Sequence, residues 1–229
     1  MLNKTLISSA VLSVILLSSG MAVAAGENTG KIDSASSISI DSMSTFGEIV
    51  GDFNSPDGAV VGATLPGNKV TFKIPAKGNA KEYLHFAFMY AESASDGWYF
   101  APNSDKGIEL SGLISGDKKS VDITKQIGIF QAPTAKLVEK VKADKGKLKY
   151  GAADKFMTAT LTLENDMFVI DIKNISEGGY STPFSSGVWA VTDKKEKGFD
   201  HIPSVGLSTL ATTGHRDMLY QMVKKHHSK

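Results

Sequence analysis

The residues of this 229-residue chain that invite a chemical reading are five histidines, one Ser-x-x-Lys pair and one aromatic triplet. Ser115-Gly-Asp-Lys118 has the spacing in which a lysine draws the proton from a serine, but it sits in a Gly-rich turn without the motifs that accompany that pair. No Gly-x-Ser-x-Gly elbow, His-Glu-x-x-His pair or Gly-rich phosphate loop occurs, so the chain reads as a non-enzyme. Imidazole and carboxylate suit zinc or copper, which makes His201 and His215 with Asp200 or Asp217 one candidate metal set. His226-His227 at the chain end is a looser one, while His85, inside an apolar run, reads as a core or rim histidine with a satisfied ring. Asn174-Ile-Ser176 has the form of a glycosylation sequon and reads as coincidence.

Trp98-Tyr-Phe100 follows Gly97 and precedes Pro102, and it supports two readings. In one the rings re-enter the core and pack its rim with Trp189 as a partner. In the other Trp98 or Tyr99 stays exposed at a loop end and contacts a glycan, peptide or headgroup, as loops on a rigid scaffold often do.

The elements that must position these residues are mostly strands. Val70, Phe72 and Ile74 alternate between Pro66-Gly-Asn68 and Pro75, as on a half-buried strand. Leu84–Tyr90 is almost wholly apolar or aromatic, which suits a strand covered on both faces. Ser120–Ile123 is a shorter strand, and Gly187–Val191 a late central one. Phe156–Leu163 and Met167–Asn174 form a hairpin around a three-residue loop, Glu164–Asp166, with Phe168, Ile170 and Ile172 facing inward. Helix is expected only over Pro133–Val141, Ser204–Ala211 and Arg216–Val223. The sum is an all-β chain, an antiparallel β-sandwich with a few short helices.

Organisation and charge bound the rest. Lys4, the apolar run Leu6–Leu17 and the small residues Ala22–Ala25 read as a signal peptide over 1–25. Residues 26–58 read as a flexible Ser/Gly-rich leader with one short strand at Ile38–Ile40, residues 59–223 as the domain, and 224–229 as a basic tail. Export to the periplasm or the extracellular space follows, with no integral membrane segment in the mature chain. Beyond Ala25 the chain carries 24 basic and 24 acidic side chains, which argues against nucleic acid as a partner. No cysteine is present, so the core must hold the fold without disulfides.

Three blocks carry a family resemblance. Leu84-His-Phe-Ala-Phe-Met89 before Trp98-Tyr-Phe-Ala-Pro102 and Gly107-Ile-Glu-Leu110 is similar to the strand-loop-strand of bacterial secreted spondin-domain proteins. Phe168–Asn174 with Ser185-Ser-Gly-Val-Trp189, and Gly206-Leu-Ser-Thr-Leu-Ala-Thr-Thr-Gly214, resemble later blocks of that family, so the likeness spans about Asn68 to Leu219. The resemblance implies a C2-like sandwich that acts in adhesion, bound to a surface, matrix or envelope component. The alternative is a metal-handling envelope protein that uses histidines and residual acids.

The resemblance also implies a calcium site, from which the chain departs. Asp96 is the one acid left at the family's positions; Gln131 and Ala135 stand where two others are expected, and Thr212-Thr213 replaces an acidic pair. Calcium takes six to eight oxygen ligands, several of them carboxylates. A neutral amide and a methyl group offer too little charge to repay the ion's dehydration, although Asp105 or Glu92 could partly compensate, so tight calcium binding is expected to be lost and no cofactor is expected.

Overall fold

The computed structural model describes residues 45–55, 61–78, 81–114 and 119–227. The signal peptide, the Ile38–Ile40 strand, the domain boundary at residue 59 and the Ser115–Lys118 pair lie outside the described residues. Those described belong to one compact unit, Ile40–Lys229.

Eleven strands follow in chain order: β1 Phe46–Ile49, β2 Lys69–Pro75, β3 Tyr83–Tyr90, β4 Trp98–Pro102, β5 Ile108–Glu109, β6 Ser120–Asp122, β7 Ile127–Gln131, β8 Glu139–Lys140, β9 Met157–Glu164, β10 Met167–Asn174 and β11 Phe184–Thr192. A short helix α1, Leu110–Leu113, follows β5, and α2, Val205–Thr213, and α3, Asp217–His227, close the chain. The strands make two antiparallel sheets. One has seven strands, ordered β1-β11-β3-β4-β7-β8 with β5 on β3; the other has four, ordered β2-β10-β9-β6.

The alternation read from the sequence explains the packing. Val70, Phe72 and Ile74 on β2, and Phe168, Ile170 and Ile172 on β10, turn into one core with Leu84, Phe86, Phe88 and Tyr90 of β3. Across the gap Phe72 stacks on Trp189 of β11 at 5.9 Å. Each such side chain contributes about 1.5–3 kcal/mol on burial. The other face of the seven-stranded sheet is also covered. Ala87, Tyr99, Ala101, Val188 and Ala190 pack beneath Leu207, Leu210 and Ala211 of α2 and Leu219 and Val223 of α3. This third layer is why β3 is buried at every residue. The two helices touch through Gly206, where a Cβ would lie 2.8 Å from the Leu219 Cα.

Several expectations need correction. Pro133–Val141 is not helical; it turns back so that β8 pairs with β7, and Leu137, which a helix would have buried, is exposed. The hairpin loop has two residues, Asn165 and Asp166, both at positive φ (48° and 60°), and both flanking residues stay in the strands. Part of the segment read as leader is structural: β1 pairs with β11 through Phe46↔Ala190, and Phe53 bridges Ala63. Trp98–Pro102 is a strand rather than a loop. The basic run begins as helix, since α3 continues to His227.

Candidate functional site at the loop end of the sandwich

Alternation along β4 decides the fate of the aromatic triplet. Trp98 is 1% exposed and Tyr99 0%, so neither ring is presented to a ligand at a loop end. Trp98 and Phe100 point between the sheets, where Trp98 meets Tyr90 edge-on at 5.7 Å rather than Trp189. Tyr99 points to the helix layer, and its hydroxyl donates to the Asp200 carbonyl at 2.7 Å. Burial, with the Asp200 carboxylate second, holds that phenol well above its usual pKa, so it stays protonated as the bond requires. The turn before β4 is fastened by Ser93, whose Oγ accepts from the Trp98 amide at 2.9 Å, and by Gly97 in the left-handed region.

The positions that the resemblance assigns to calcium are brought together in space but not as a cation site. Gly97 lies against Ala132 and Pro133, and Trp98 pairs with Gln131, so Asp96 and the Gln131 strand end are neighbours. Asp96 is ion-paired with Lys145, however, and the Gln131 amide donates to Glu139. A lysine already neutralises the remaining acid. Among the described residues no group of three or more His, Asp or Glu side chains is placed to hold a metal.

The histidines are distributed rather than gathered. His215 lies at the α2–α3 turn, whereas the His201 ring bonds to the Pro102 carbonyl at the end of β4, at 2.9 Å. Asp200 serves His85: Oδ1 is 3.0 Å from His85 Nδ1, and Oδ2 accepts from the Phe86 amide at 3.2 Å. A carboxylate-held imidazole is an arrangement that orients catalytic and metal-bound histidines. Here the ring is sealed. His85 is 0% exposed, and a Cβ on Gly198 would fall 2.0 Å from Nδ1, so the loop backbone lies directly on the imidazole. The cluster ties the 196–201 loop to β3 and β4, but the ring is only half satisfied, because His85 Nε2 is buried without a hydrogen-bond partner among the described residues. Burial pushes the His201 pKa down, against the upward pull of Asp200 and the Pro102 carbonyl. The sequon is excluded as a modification site, because Asn174 is fully buried and its amide donates to the carbonyls of Thr64 and Thr182.

One of the concavities open to solvent, of about 500 Å3, lies where β3 ends and β11 begins, beneath the α2–α3 turn. Three unusual features meet in it. Ala94, in the turn after β3, holds φ 41° and ψ −124°, a conformation that costs a non-glycine residue about 1–3 kcal/mol. The β11 register shifts between Phe184 and Gly187, and this bulge sends Ser185 and Ser186 to the lining. Arg216, at the start of α3, is held in place: Nε donates to Glu48 Oε1 at 2.8 Å and Nη1 to Ser186 Oγ at 2.9 Å. Thr212 and Thr213 complete the wall, with hydroxyls that donate to the Ser208 and Thr209 carbonyls at 2.7 Å. Gly214, at φ 75°, caps α2 and turns the chain into α3.

Sequence reasoning reached Thr212, Thr213, His215 and Asp217 of this site but passed over Arg216. A signal was there, since Arg216 is the only arginine among 25 basic residues. Arginine and lysine differ in that only the guanidinium offers a planar fork of donors. Compared with known proteins, the chain matches no family model, no curated protein and no solved structure.

Proposed function

We propose that the protein is an exported, non-enzymatic binding module of the spondin, C2-like type, which takes a surface, matrix or envelope partner in the concavity beneath the α2–α3 turn. One observation carries this reading: the strained Ala94, the bulge serines and the sole arginine converge on a single open pocket of about 500 Å3. Strain and bulges persist where the surrounding structure over-determines them, and they cluster at functional sites. A rigid three-layer scaffold suits this role, because a pocket that does not reorganise loses less entropy on binding.

The test is co-sedimentation of the mature chain with an insoluble envelope fraction. Thr213→Trp places an indole in the pocket mouth from an exposed helix end. The expected result is that the wild type sediments and the variant does not, with equal melting temperatures. Equal sedimentation of both proteins, or of neither, overturns the reading.

A further inference from the structure

Arg216 is built as a receptor for a carboxylate. Its guanidinium is largely enclosed, with a side-chain exposure of 19%, and two of its five donors are held by Glu48 and Ser186. Nη2 has no hydrogen-bond partner among the described residues and Nη1 gives only one of its two hydrogens to Ser186, so three N–H donors remain for a planar, two-oxygen acceptor. Such pairing is the recognition for which arginine is chosen over lysine, and a chain that uses lysine everywhere else has arginine here. Apart from Glu48, which holds Nε, the lining offers the guanidinium few competing acceptors. Thr212 and Thr213 are uncharged and direct their hydroxyls to helix carbonyls, Ser185 Oγ is engaged with the Met89 amide and the Ser186 carbonyl, and Asp217 is the one acid among the described lining residues.

The rim defines what accompanies the carboxylate. Val61 lines the pocket and is 50% exposed, and Val50 beside it is 45% exposed, its side chain against the Gly62 backbone. An exposed aliphatic side chain in the lining, with Val50 near it, beside a partly enclosed cation matches a ligand with an apolar group adjoining an acid. We infer that the loop-end pocket binds a carboxylate flanked by an aliphatic side chain, as in the free carboxyl end of a peptide, through the Nη1/Nη2 edge of Arg216 and the Val50–Val61 rim. This inference rests on the reading of the pocket as the binding site and names the chemistry of its ligand. Glu48 then acts as a built-in competitor: it fixes the guanidinium and lowers its net charge, which keeps affinity for simple anions modest.

N-acetyl-valine and N-acetyl-valinamide, which differ only in the charged carboxylate, separate the possibilities in a two-dimensional NMR titration of the mature chain. The acid is expected to shift the Arg216 Nε–H, Ser186 and Val61 resonances and to bind about tenfold tighter than the amide. Arg216→Lys keeps the charge without the fork and is expected to weaken the acid about tenfold. Glu48→Gln removes the competitor and is expected to strengthen it about threefold, a direction that a merely structural ion pair does not produce. Equal shifts from acid and amide at the pocket overturn the carboxylate inference and leave the pocket as a binding site. Shifts from neither probe, or shifts elsewhere that ignore Arg216→Lys and Glu48→Gln, overturn it too, and the Thr213→Trp sedimentation result then decides whether the pocket reading falls with it.

Discussion

Trp98 shows how far a single residue's type can be read. Its indole packs between the sheets against Tyr90 and is closed off from solvent, in a ring cluster that also links Phe100, Phe156 and Phe184. Trp98→Ala is therefore expected to cost about 3–5 kcal/mol through the cavity it leaves, which lowers the melting temperature by roughly 10 °C in a domain of this size. A thermal melt of the variant checks this, and a loss of partner binding with unchanged stability would contradict it. Tyr99, one position on, faces the other layer, because side chains on a strand alternate. The aromatic triplet was conspicuous in the sequence, while its orientation was not, since alternation fixes that neighbours face opposite sides but not that both sides are covered. Arg216 was inconspicuous for the opposite reason: one charged residue near a helix start has no local pattern, and only its distant partners Glu48 and Ser186 give it meaning.

Among the elements, α3 departs furthest from expectation. A terminal run of Lys and His reads as a solvated tail, yet His227 stacks on Phe46 of β1 at 5.7 Å and makes a 3.4 Å contact with Thr45 Oγ1. Basic residues at a helix C-terminus also complement the dipole, so the run favours the last turn it forms. Burial pushes the His227 pKa down, and His226, Lys77 and His85 add to the shift in that order. The folded state then prefers the neutral ring, while the unfolded chain takes up its proton near the ordinary value of 6.5. The contribution of this contact is present above that value and is lost as pH falls through the lower folded value, and buried His201 acts in the same direction. Melting temperature is expected to fall between about pH 7.5 and about pH 5. His227→Phe, which keeps the stack but cannot ionise, is expected to flatten that slope; an unchanged slope would show that the helix end is not a pH-sensitive contact.

At the scale of the whole molecule, two sheets and a helix layer bring four chain segments, at Val61, Met89 to Ala94, Ser185–Ser186 and Thr212 to Asp217, to the pocket. The same assembly sets Lys145 on Asp96 and Glu139 on Gln131, and among the described residues no group of three or more His, Asp or Glu is placed to hold a metal. Excess calcium is accordingly expected to leave the melting temperature of the mature chain where it stands in chelator, since binding to the native state alone would raise it by mass action. A rise of several degrees would mean that other oxygens rebuild the site. Much of this architecture was legible: the alternation of β2, the hairpin of β9 and β10, the doubly covered β3 and the α2 block each carry a local pattern. β1, β4, β7 and the short β8 were less so, because their pairing is made by residues distant in the chain, such as Phe46↔Ala190 and Trp98↔Gln131.

The sequence by itself determined the class of the fold and its freedom from disulfides, because period-two hydrophobic runs between Gly, Pro and Asn turns can bury their apolar faces only as packed antiparallel strands. It also determined that catalysis would have no familiar motif to use. Tertiary structure alone decided that Trp98 is core, that Asp200 belongs to His85, and that Arg216 is hydrogen-bonded to both Ser186 and Glu48. Those facts depend on distances between residues 30 to 168 positions apart, which packing sets and local sequence does not.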